Sequence, residues 1–279
     1  MCMIKNILVP QDGSKHSKTA LEYGIFLAKR FHANLIGLHI IDIVALEGSF
    51  LHDLSGSLGF EPFLNFSSKM REVLEEKGKT ILKDFSDVCR KENVRHESFM
   101  ENGIVVNEIC ERAKLTDLVI IGRRGINVKF EYGLFGSAAE GIMRKSPQPV
   151  MVVSEEYKEI SKPMFAFDGS ASASKTLHYA AEFLKDLKQS VTVINLSKDR
   201  HSADVLKMAE DYLKPYHVDA RFVILEGDSP EEIVKYYKGN NHDLIFMGLS
   251  GHSKIYEMVL GSTTEYVIRK VDGPVFVAR

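Results

Sequence analysis

The chain has 279 residues, of which 27% are charged, and its formal net charge of −2 gives no bulk attraction to nucleic acid or to an anionic membrane. Its three cysteines (Cys2, Cys89 and Cys110) lack a CxxC spacing, which argues against a disulfide framework and for a reducing compartment. We find no signal peptide and no apolar run of about 18 residues or more, so we expect a cytoplasmic protein with no membrane span and no nucleic-acid partner.

Strands and amphipathic helices alternate along the first half of the chain. Short apolar runs predict buried strands, and apolar residues at helical spacing predict helices. The predicted order is strand 6–10, helix 17–31, strand 34–43, a long helix within 63–93, strand 94–100, helix 104–113, strand 117–121, helix 137–145 and strand 150–153.

The second half repeats this alternation. Its predicted order is strand 163–167, helix 172–187, strand 190–196, helix 202–214, strand 218–225, helix 230–238, strand 243–247, helix 262–270 and strand 274–278. Continuous apolar strands between helices are typical of a parallel sheet covered on both faces. We therefore predict an α/β fold with two tandem open parallel five-stranded sheets, each with strand order 3-2-1-4-5.

The two halves also match residue by residue. Asp12-Gly-Ser matches Asp168-Gly-Ser, and the separation of matching residues falls from 156 at this pair to 126 at Gly122 and Gly248. The first half thus carries 30 extra residues before its glycine loop, mainly between its second strand and the end of its second helix. They include an apolar, Gly/Ser-punctuated insertion at about 45–62. A period this long indicates a duplicated domain, and we predict domains at 1–154 and 161–279. The insertion could cover a site, contact a partner or be poorly ordered.

Each half contains a strand that opens into a Gly-x-x-Gly loop and then a helix that begins with Gly-Ser. Glycines let the backbone approach a phosphate, and the free N–H groups of a helix N-terminus favour an anion. In a parallel sheet of this order, the loop and the aspartate after strand one meet at the switch point. The pattern predicts one phosphate-binding site per half, at Asp12, Gly122, Gly125, Gly136 and Ser137 and at Asp168, Gly248, Gly251, Gly261, Ser262 and Thr263.

A purely local explanation exists for these residues. Asp-Gly-Ser forms a tight turn in which serine caps the next helix, and Gly261-Ser262 can be a plain helix start. The placement of Asp12 and Asp168 beside the glycine loops favours the ligand interpretation over the local one.

The whole set of motifs resembles the universal stress protein family in its tandem form. The resemblance covers nearly the whole chain and implies two nucleotide-binding domains packed as a pseudo-dimer through their closing Pro-Val strands. For the second domain it implies that Asp168 contacts the ribose or adenine end, that Met247 and Gly248 lie near the ribose and first phosphate, and that Asn195 or Leu196 meets adenine through the backbone. The phosphate ligands implied there are Gly251, Gly261, Ser262 and Thr263.

The first domain departs from the family pattern. It keeps Pro10, Asp12, Gly122, Gly125, Gly136 and Ser137, but ten residues rather than nine separate the glycine loop from Gly136, and Ala138 replaces a hydroxyl. Arg123, Arg124 and Lys129 could hold phosphate charge or fill the site themselves.

The resemblance implies an ATP- or AMP-binding stress-response or regulatory protein, with Mg²⁺ arriving on the nucleotide phosphates and two chains pairing as a homodimer. A tandem domain that acts through protein contacts or an apolar ligand is the alternative, and a slow ATPase is a further one. We find no Walker loop, no nucleophile elbow and no HxxxH pair among the ten histidines, so we nominate no catalytic residue and no protein-built metal site.

Overall fold

The computed structural model describes residues 4–42, 63–125, 136–197, 202–249 and 260–279. The strands are β1 (Asn6–Pro10), β2 (Asn34–Asp42), β3 (His96–Gly103), β4 (Leu118–Gly122), β5 (Val150–Val153), β6 (Pro163–Ala166), β7 (Val191–Ser197), β8 (Ala220–Glu226), β9 (Leu244–Gly248) and β10 (Val275–Ala278). The helices are α1 (Lys15–Phe31), α2 (Phe63–Lys91), α3 (Val105–Ala113), α4 (Ser137–Lys145), α5 (Ala171–Leu187), α6 (Ser202–Leu213), α7 (Pro230–Gly239) and α8 (Ser262–Lys270), and a 3₁₀ turn spans Lys214–Tyr216.

All ten strands belong to one sheet, in the order β3-β2-β1-β4-β5-β10-β9-β6-β7-β8. The α/β architecture with parallel strands is confirmed, and in each half the strands follow the order 3-2-1-4-5. The two five-stranded units are joined edge to edge into a single ten-stranded sheet, through the closing strands that the family resemblance implied.

The junction lies between β5 and β10, which pair antiparallel. Phe276 stands opposite Met151, with Val275 opposite Val152 and Val277 opposite Val150. These strands are short and buried along their whole length, so neither can face solvent. Pairing them removes two open sheet edges and relates the halves as a pseudo-dimer.

Helix α1 begins where local chemistry allows it. The Ser17 amide donates to Ser14 Oγ (3.1 Å), and His32 ends the helix in the left-handed conformation. In the second half Ser170 Oγ accepts the Ala173 amide (3.2 Å) at the start of α5. Helix α1 begins two residues earlier than the apolar spacing predicts, and α5 begins one residue earlier. In both helices the serine cap fixes the start.

Two hydrophobic clusters cover the two faces of the sheet. One face packs α1 and α5 over residues such as Phe31 and Phe183, and the other packs α3, α4, α7 and α8 around residues such as Ile142 and Ile268. Each cluster contains residues of both halves. Both halves therefore share their cores across the junction.

The outer strands differ most from their predicted bounds. β3 was predicted at 94–100 and runs from His96 to Gly103, because it pairs with β2 as far as Asp42 opposite Gly103. β8, predicted at 218–225, follows β7 as far as Glu226. Exposed edge strands are polar on one face, so apolar content alone does not mark their ends. In the part of the chain that the structure describes, no helix combines the length and apolarity needed to cross a membrane.

Candidate functional site

The two predicted aspartates lie in matching turns after β1 and β6. The Ser14 amide donates to Asp12 Oδ1 (2.8 Å), and the Ser170 amide donates to Asp168 Oδ1 (2.9 Å). The glycine between each pair has positive φ, +83° at Gly13 and +76° at Gly169. The local turn role of both aspartates is thus present in the structure.

Gly122 is the last residue of β4, and Gly248 is the last residue of β9. Each packs against the first turn of a helix. A Cβ on Gly122 would lie 2.4 Å from His16 Cβ, and a Cβ on Gly248 would lie 2.6 Å from Ser172 Oγ. No larger residue fits either position, so packing explains these two glycines without any ligand.

Gly125 brings the first glycine loop to Asp12. A Cβ on Gly125 would lie 2.9 Å from Asp12 Oδ2. The sheet order places β4 beside β1, and these two residues meet at the carboxyl edge as the topology predicts.

Helices α4 and α8 begin at glycine N-caps, which carry no side-chain oxygen. The Gly136 amide donates to the Arg123 carbonyl (3.0 Å), and the Gly261 amide donates to the Leu249 carbonyl (3.0 Å). Ser137 and Ser262 follow, both exposed. Such a helix start offers backbone donors and a positive dipole end to an acceptor from outside the helix.

In the first turn of α8, the hydroxyl of Thr264 binds the end of β9 and does not face solvent. Thr264 Oγ1 donates to the Gly248 carbonyl (2.8 Å) and is buried, whereas Thr263 is partly exposed. Thr264 therefore fixes α8 to β9, and Thr263 is the threonine that remains accessible.

A cleft opens at this edge of the first half. Its empty volume is about 540 Å³, counting the part open to solvent. The predicted residues Pro10, Asp12, Gly122 and Gly125 line it, together with Gln11, Ser14, Ser17, Leu38, Ile40, Val105, Ile109, Ile121, Arg124, Ala138, Ala139 and Ile142.

The second half is described in part. The side chain of Met247 is 3% exposed and lies in the core, so a ligand could reach this residue only through its backbone. Gly251 lies outside the described residues, as do Lys129 and the insertion at 45–62.

Arg123 and Arg124 separate in space. Arg124 lines the cleft, whereas Arg123 Nη2 donates to the carbonyl of Val271 in the other half (2.8 Å). Burial lowers the pKa of the Arg123 guanidinium, and neighbouring Arg124 lowers it further. The interpretation of Arg123 as a phosphate ligand is corrected, because its side chain leaves the cleft.

His16 stands behind the glycine loop. Burial lowers its pKa, the Glu155 carboxylate opposes that shift, and Arg123 and Arg124 add to it. Nearby cations thus favour the neutral imidazole. Among the residues that the structure describes, no three His, Cys, Asp or Glu side chains are grouped so that they could hold a metal ion.

Sequence reasoning missed two carboxylates at the opposite edge of the sheet. Asp117 Oδ2 accepts the amides of Lys5 and Asn6 (2.8 Å each), and Asp243 does the same for Ser161 and Lys162. The signal was present, since a Thr-Asp or His-Asp pair precedes β4 and β9 at equivalent positions.

Sequence reasoning also missed His39 of β2, and it named Asn195 of β7 only for a backbone contact with adenine. Both side chains support an aspartate turn. His39 Nδ1 is 2.7 Å from the Gln11 carbonyl, and Asn195 Nδ2 donates to the Phe167 carbonyl (2.8 Å). Both side chains satisfy the carbonyl just before the aspartate.

This arrangement defines a duplicated, doubly wound α/β protein whose sheet carries, at the carboxyl ends of its strands, an aspartate turn and a glycine-started helix in each half. The sequence profile described as "Universal stress protein family" matches residues 3–154 and 160–279. The chain belongs to the universal stress protein family, in its tandem form.

Similar proteins include both full-length and single-domain relatives. Universal stress protein Slr1230 of Synechocystis is 31% identical over 287 residues, covering 99% of this chain and 100% of that protein. Universal stress protein MJ0531 of Methanocaldococcus jannaschii is 30% identical over 159 residues, covering 56% of this chain and 86% of that protein. The crystal structure of a universal stress protein from Archaeoglobus fulgidus has a TM-score of 0.76 at 25% identity, covering 98% of each chain.

Proposed function

We propose that each half binds an adenine nucleotide, ATP or AMP, at the carboxyl edge of its strands, and that the chain is a regulatory or stress-response protein. The observation that carries the proposal is the cleft of the first half, because it combines an apolar wall with phosphate-binding groups. The domains that bind would be 1–154 and 161–279.

The chemistry of the cleft changes along the sheet order β2-β1-β4. On the β2 side the lining is apolar, with Leu38 and Ile40 facing Val105 of α3. Such a surface suits the faces of a purine base. The Asp12 turn, at the centre, suits the ribose hydroxyls, which are hydrogen-bond donors to a carboxylate.

On the β4 side the lining suits phosphates. Arg124 and Gly125 lie there with Ala138 in the first turn of α4. A guanidinium can bind phosphate through two parallel hydrogen bonds, and the backbone donors of the helix start add to it. Arg124 supplies positive charge from the protein itself, so we expect the first site to favour ATP over AMP.

The second half supports a similar site through its backbone. Its aspartate turn, β9 end and α8 start repeat the hydrogen bonds of the first half. Its counterpart of Arg124 in the glycine loop is Ser250, which is neutral. We therefore expect weaker discrimination between ATP and AMP there.

Gly125→Val tests the first site. A side chain at this position would displace Asp12 Oδ2 and enter the cleft, so we expect nucleotide affinity of the first site to fall at least about tenfold. Isothermal titration calorimetry with a non-hydrolysable ATP analogue should then give one tight equivalent per chain in place of two. The matched control is Gly239→Val, since a Cβ on Gly239 would meet no atom within 4 Å. Two unchanged equivalents in Gly125→Val would contradict this placement.

A second measurement separates the proposal from its alternatives. Denaturing the purified protein and analysing the released small molecules by mass spectrometry should yield adenine nucleotide. No nucleotide retained, and none taken up when added, would favour the interpretation that the chain works through protein contacts or an apolar ligand. Multiple turnovers of ATP would favour a slow ATPase.

A further inference from the structure

Two arginines cross between the halves and reach the C-terminal ends of the helices that begin at the candidate sites. Arg123 Nη2 donates to the carbonyl of Val271, the C-cap of α8 (2.8 Å). Arg279 Nη1 donates to the carbonyl of Arg144 in the last turn of α4 (2.7 Å). A cation at a helix C-terminus binds carbonyls that have no partner inside the helix and favours the helix dipole.

The opposite ends of these helices lie at the candidate nucleotide sites. α4 begins at Gly136 in the first half, and α8 begins at Gly261 in the second. Each helix has nine residues. Each of these two short helices therefore has its N-terminus at the candidate site of its own half and its C-terminus at an arginine from the other half.

Arg123 is also built into the phosphate loop of the first site. Its amide donates to the Val153 carbonyl (2.8 Å), and its carbonyl accepts the Gly136 amide (3.0 Å). The side chain is partly buried, and its Nε has no hydrogen-bond partner within the described chain. Because the Arg123 guanidinium has the Val271 carbonyl as its hydrogen-bond partner, the position of Val271 helps to fix the main chain at Arg123.

The second half provides an internal comparison. Leu249 occupies the position equivalent to Arg123, with the same backbone bonds: its amide donates to the Ala278 carbonyl (3.2 Å), and its carbonyl accepts the Gly261 amide. Its side chain is apolar and 4% exposed. The loop backbone thus forms without an arginine, and the crossing bond of Arg123 serves some purpose besides loop formation.

We propose that Arg123, assisted by Arg279, couples the two nucleotide sites, so that a nucleotide in one site raises the affinity of the other. This inference rests on the proposed function of both sites. An anion at the start of α8 stabilises the whole helix, including the Val271 carbonyl at its far end. Arg123 is then held in place, and the main chain at Arg123 and Arg124 is fixed before the ligand of the first site arrives. By linkage the effect is reciprocal.

The test is a double-mutant cycle on the full chain, with the second site blocked by Ser262→Leu at the exposed start of α8. Calorimetry with a non-hydrolysable ATP analogue gives the affinity of the first site with the second site filled or blocked. With Arg123 present we expect blocking to weaken the first site about fivefold or more. In the Arg123→Leu background, which copies Leu249, we expect blocking to have no effect, and Arg123→Lys should restore part of it.

Arg30→Leu is the matched control. Arg30 Nη2 also crosses the halves, to the Leu187 carbonyl at the end of α5 (2.8 Å), but on the other face of the sheet and on a helix capped by its own serine. It should leave the coupling intact, and thermal denaturation should show all variants folded.

Several results would overturn the inference. Coupling that persists in Arg123→Leu, or that also disappears in Arg30→Leu, would exclude a specific role for Arg123. Two sites that bind nucleotide independently in the unaltered chain would overturn the coupling and leave the proposed function standing. No nucleotide at either site would overturn both.

Discussion

At the scale of single residues, a buried carboxylate with several hydrogen bonds lies away from the candidate sites. Asp243 is 8% exposed, and its Oδ2 accepts the Ser161 amide (2.8 Å), the Ser161 hydroxyl (2.7 Å) and the Lys162 amide (2.8 Å). These bonds tie the start of β9 to the start of β6. A buried carboxylate satisfied by backbone donors stabilises the native state more than an exposed one does.

We predict that Asp243→Ala lowers the free energy of unfolding by about 2 kcal/mol, because the Ser161 and Lys162 amides lose a charged acceptor. Urea denaturation should detect this loss. Nucleotide affinity should remain unchanged, since Asp243 lies at the amino edge of the sheet. Asp219→Ala, at an exposed aspartate before β8, is the control and should change stability by less than about 0.5 kcal/mol. Equal effects of both substitutions would mean that the Asp243 bonds contribute nothing special.

Residue types in a motif could be predicted from the sequence better than the directions of their side chains. The meeting of Asp12 and Gly125 followed from the strand order alone. The direction of the Arg123 side chain could not be predicted in this way, because its hydrogen-bond partner is a carbonyl in the other half, far away in sequence. Met247 likewise occupies a motif position while its side chain lies in the core.

At the scale of elements, the close packing of α2 on β2 depends on two glycines, Gly37 and Gly78. A Cβ on Gly37 would lie 2.7 Å from the ring of Phe85, which is fully buried. Gly78 has the same relation to His39, with its Cβ position 2.6 Å from the His39 ring. Helix and strand therefore approach closely because glycine occurs once on each of them.

We predict that Gly37→Ala destabilises the protein by about 1–3 kcal/mol, because the added methyl overpacks the contact with Phe85. Combining it with Phe85→Leu should cost less than the sum of the two single changes, since the smaller side chain makes room for the methyl. Chemical denaturation of the four proteins of this cycle measures the coupling. Strictly additive losses would show that Gly37 and Phe85 do not compete for space.

Central elements were predictable because burial on both faces makes strands continuously apolar. β1 was predicted at 6–10 and spans Asn6–Pro10. The ends of the edge strands were less predictable, since β3 and β8 carry polar residues on one face and take their ends from the register with β2 and β7. Register is a property of the pair, which no single segment reveals.

At the scale of the whole molecule, the two halves share an aromatic cluster. Phe183 is 1% exposed, and its ring centroid lies 5.2 Å from that of Phe31, 5.4 Å from Phe246 and 5.7 Å from Phe276. Phe31 belongs to the first half and the others to the second. Edge-to-face contacts of this kind stabilise more than their area alone implies.

We predict that Phe183→Ala lowers the stability of both halves together, by about 3–5 kcal/mol, because it leaves a cavity between them. Differential scanning calorimetry should still give one transition, shifted to lower temperature. Hydrogen exchange should rise in β1 and in β6 alike. Two separated transitions would contradict a shared core.

Duplication was evident from the sequence, and the family resemblance implied that the closing Pro-Val strands join the halves. The structure pairs β5 with β10, and it adds the antiparallel direction and the register of that pairing, which the sequence did not predict. The homodimer expected from the family resemblance remains a prediction, and it would use a surface other than this occupied edge.

The β5–β10 junction also changes how such an assembly responds to dilution. Two independent copies meeting along this edge would separate as their concentration fell, whereas the short link between the halves gives each a local concentration of the other on the order of millimolar. The pairing therefore survives at any abundance in the cell. Because the two halves belong to one chain, each always pairs with the same neighbour, and the sequences of the two halves can diverge. Arg123 in one glycine loop and Leu249 in the other illustrate this divergence.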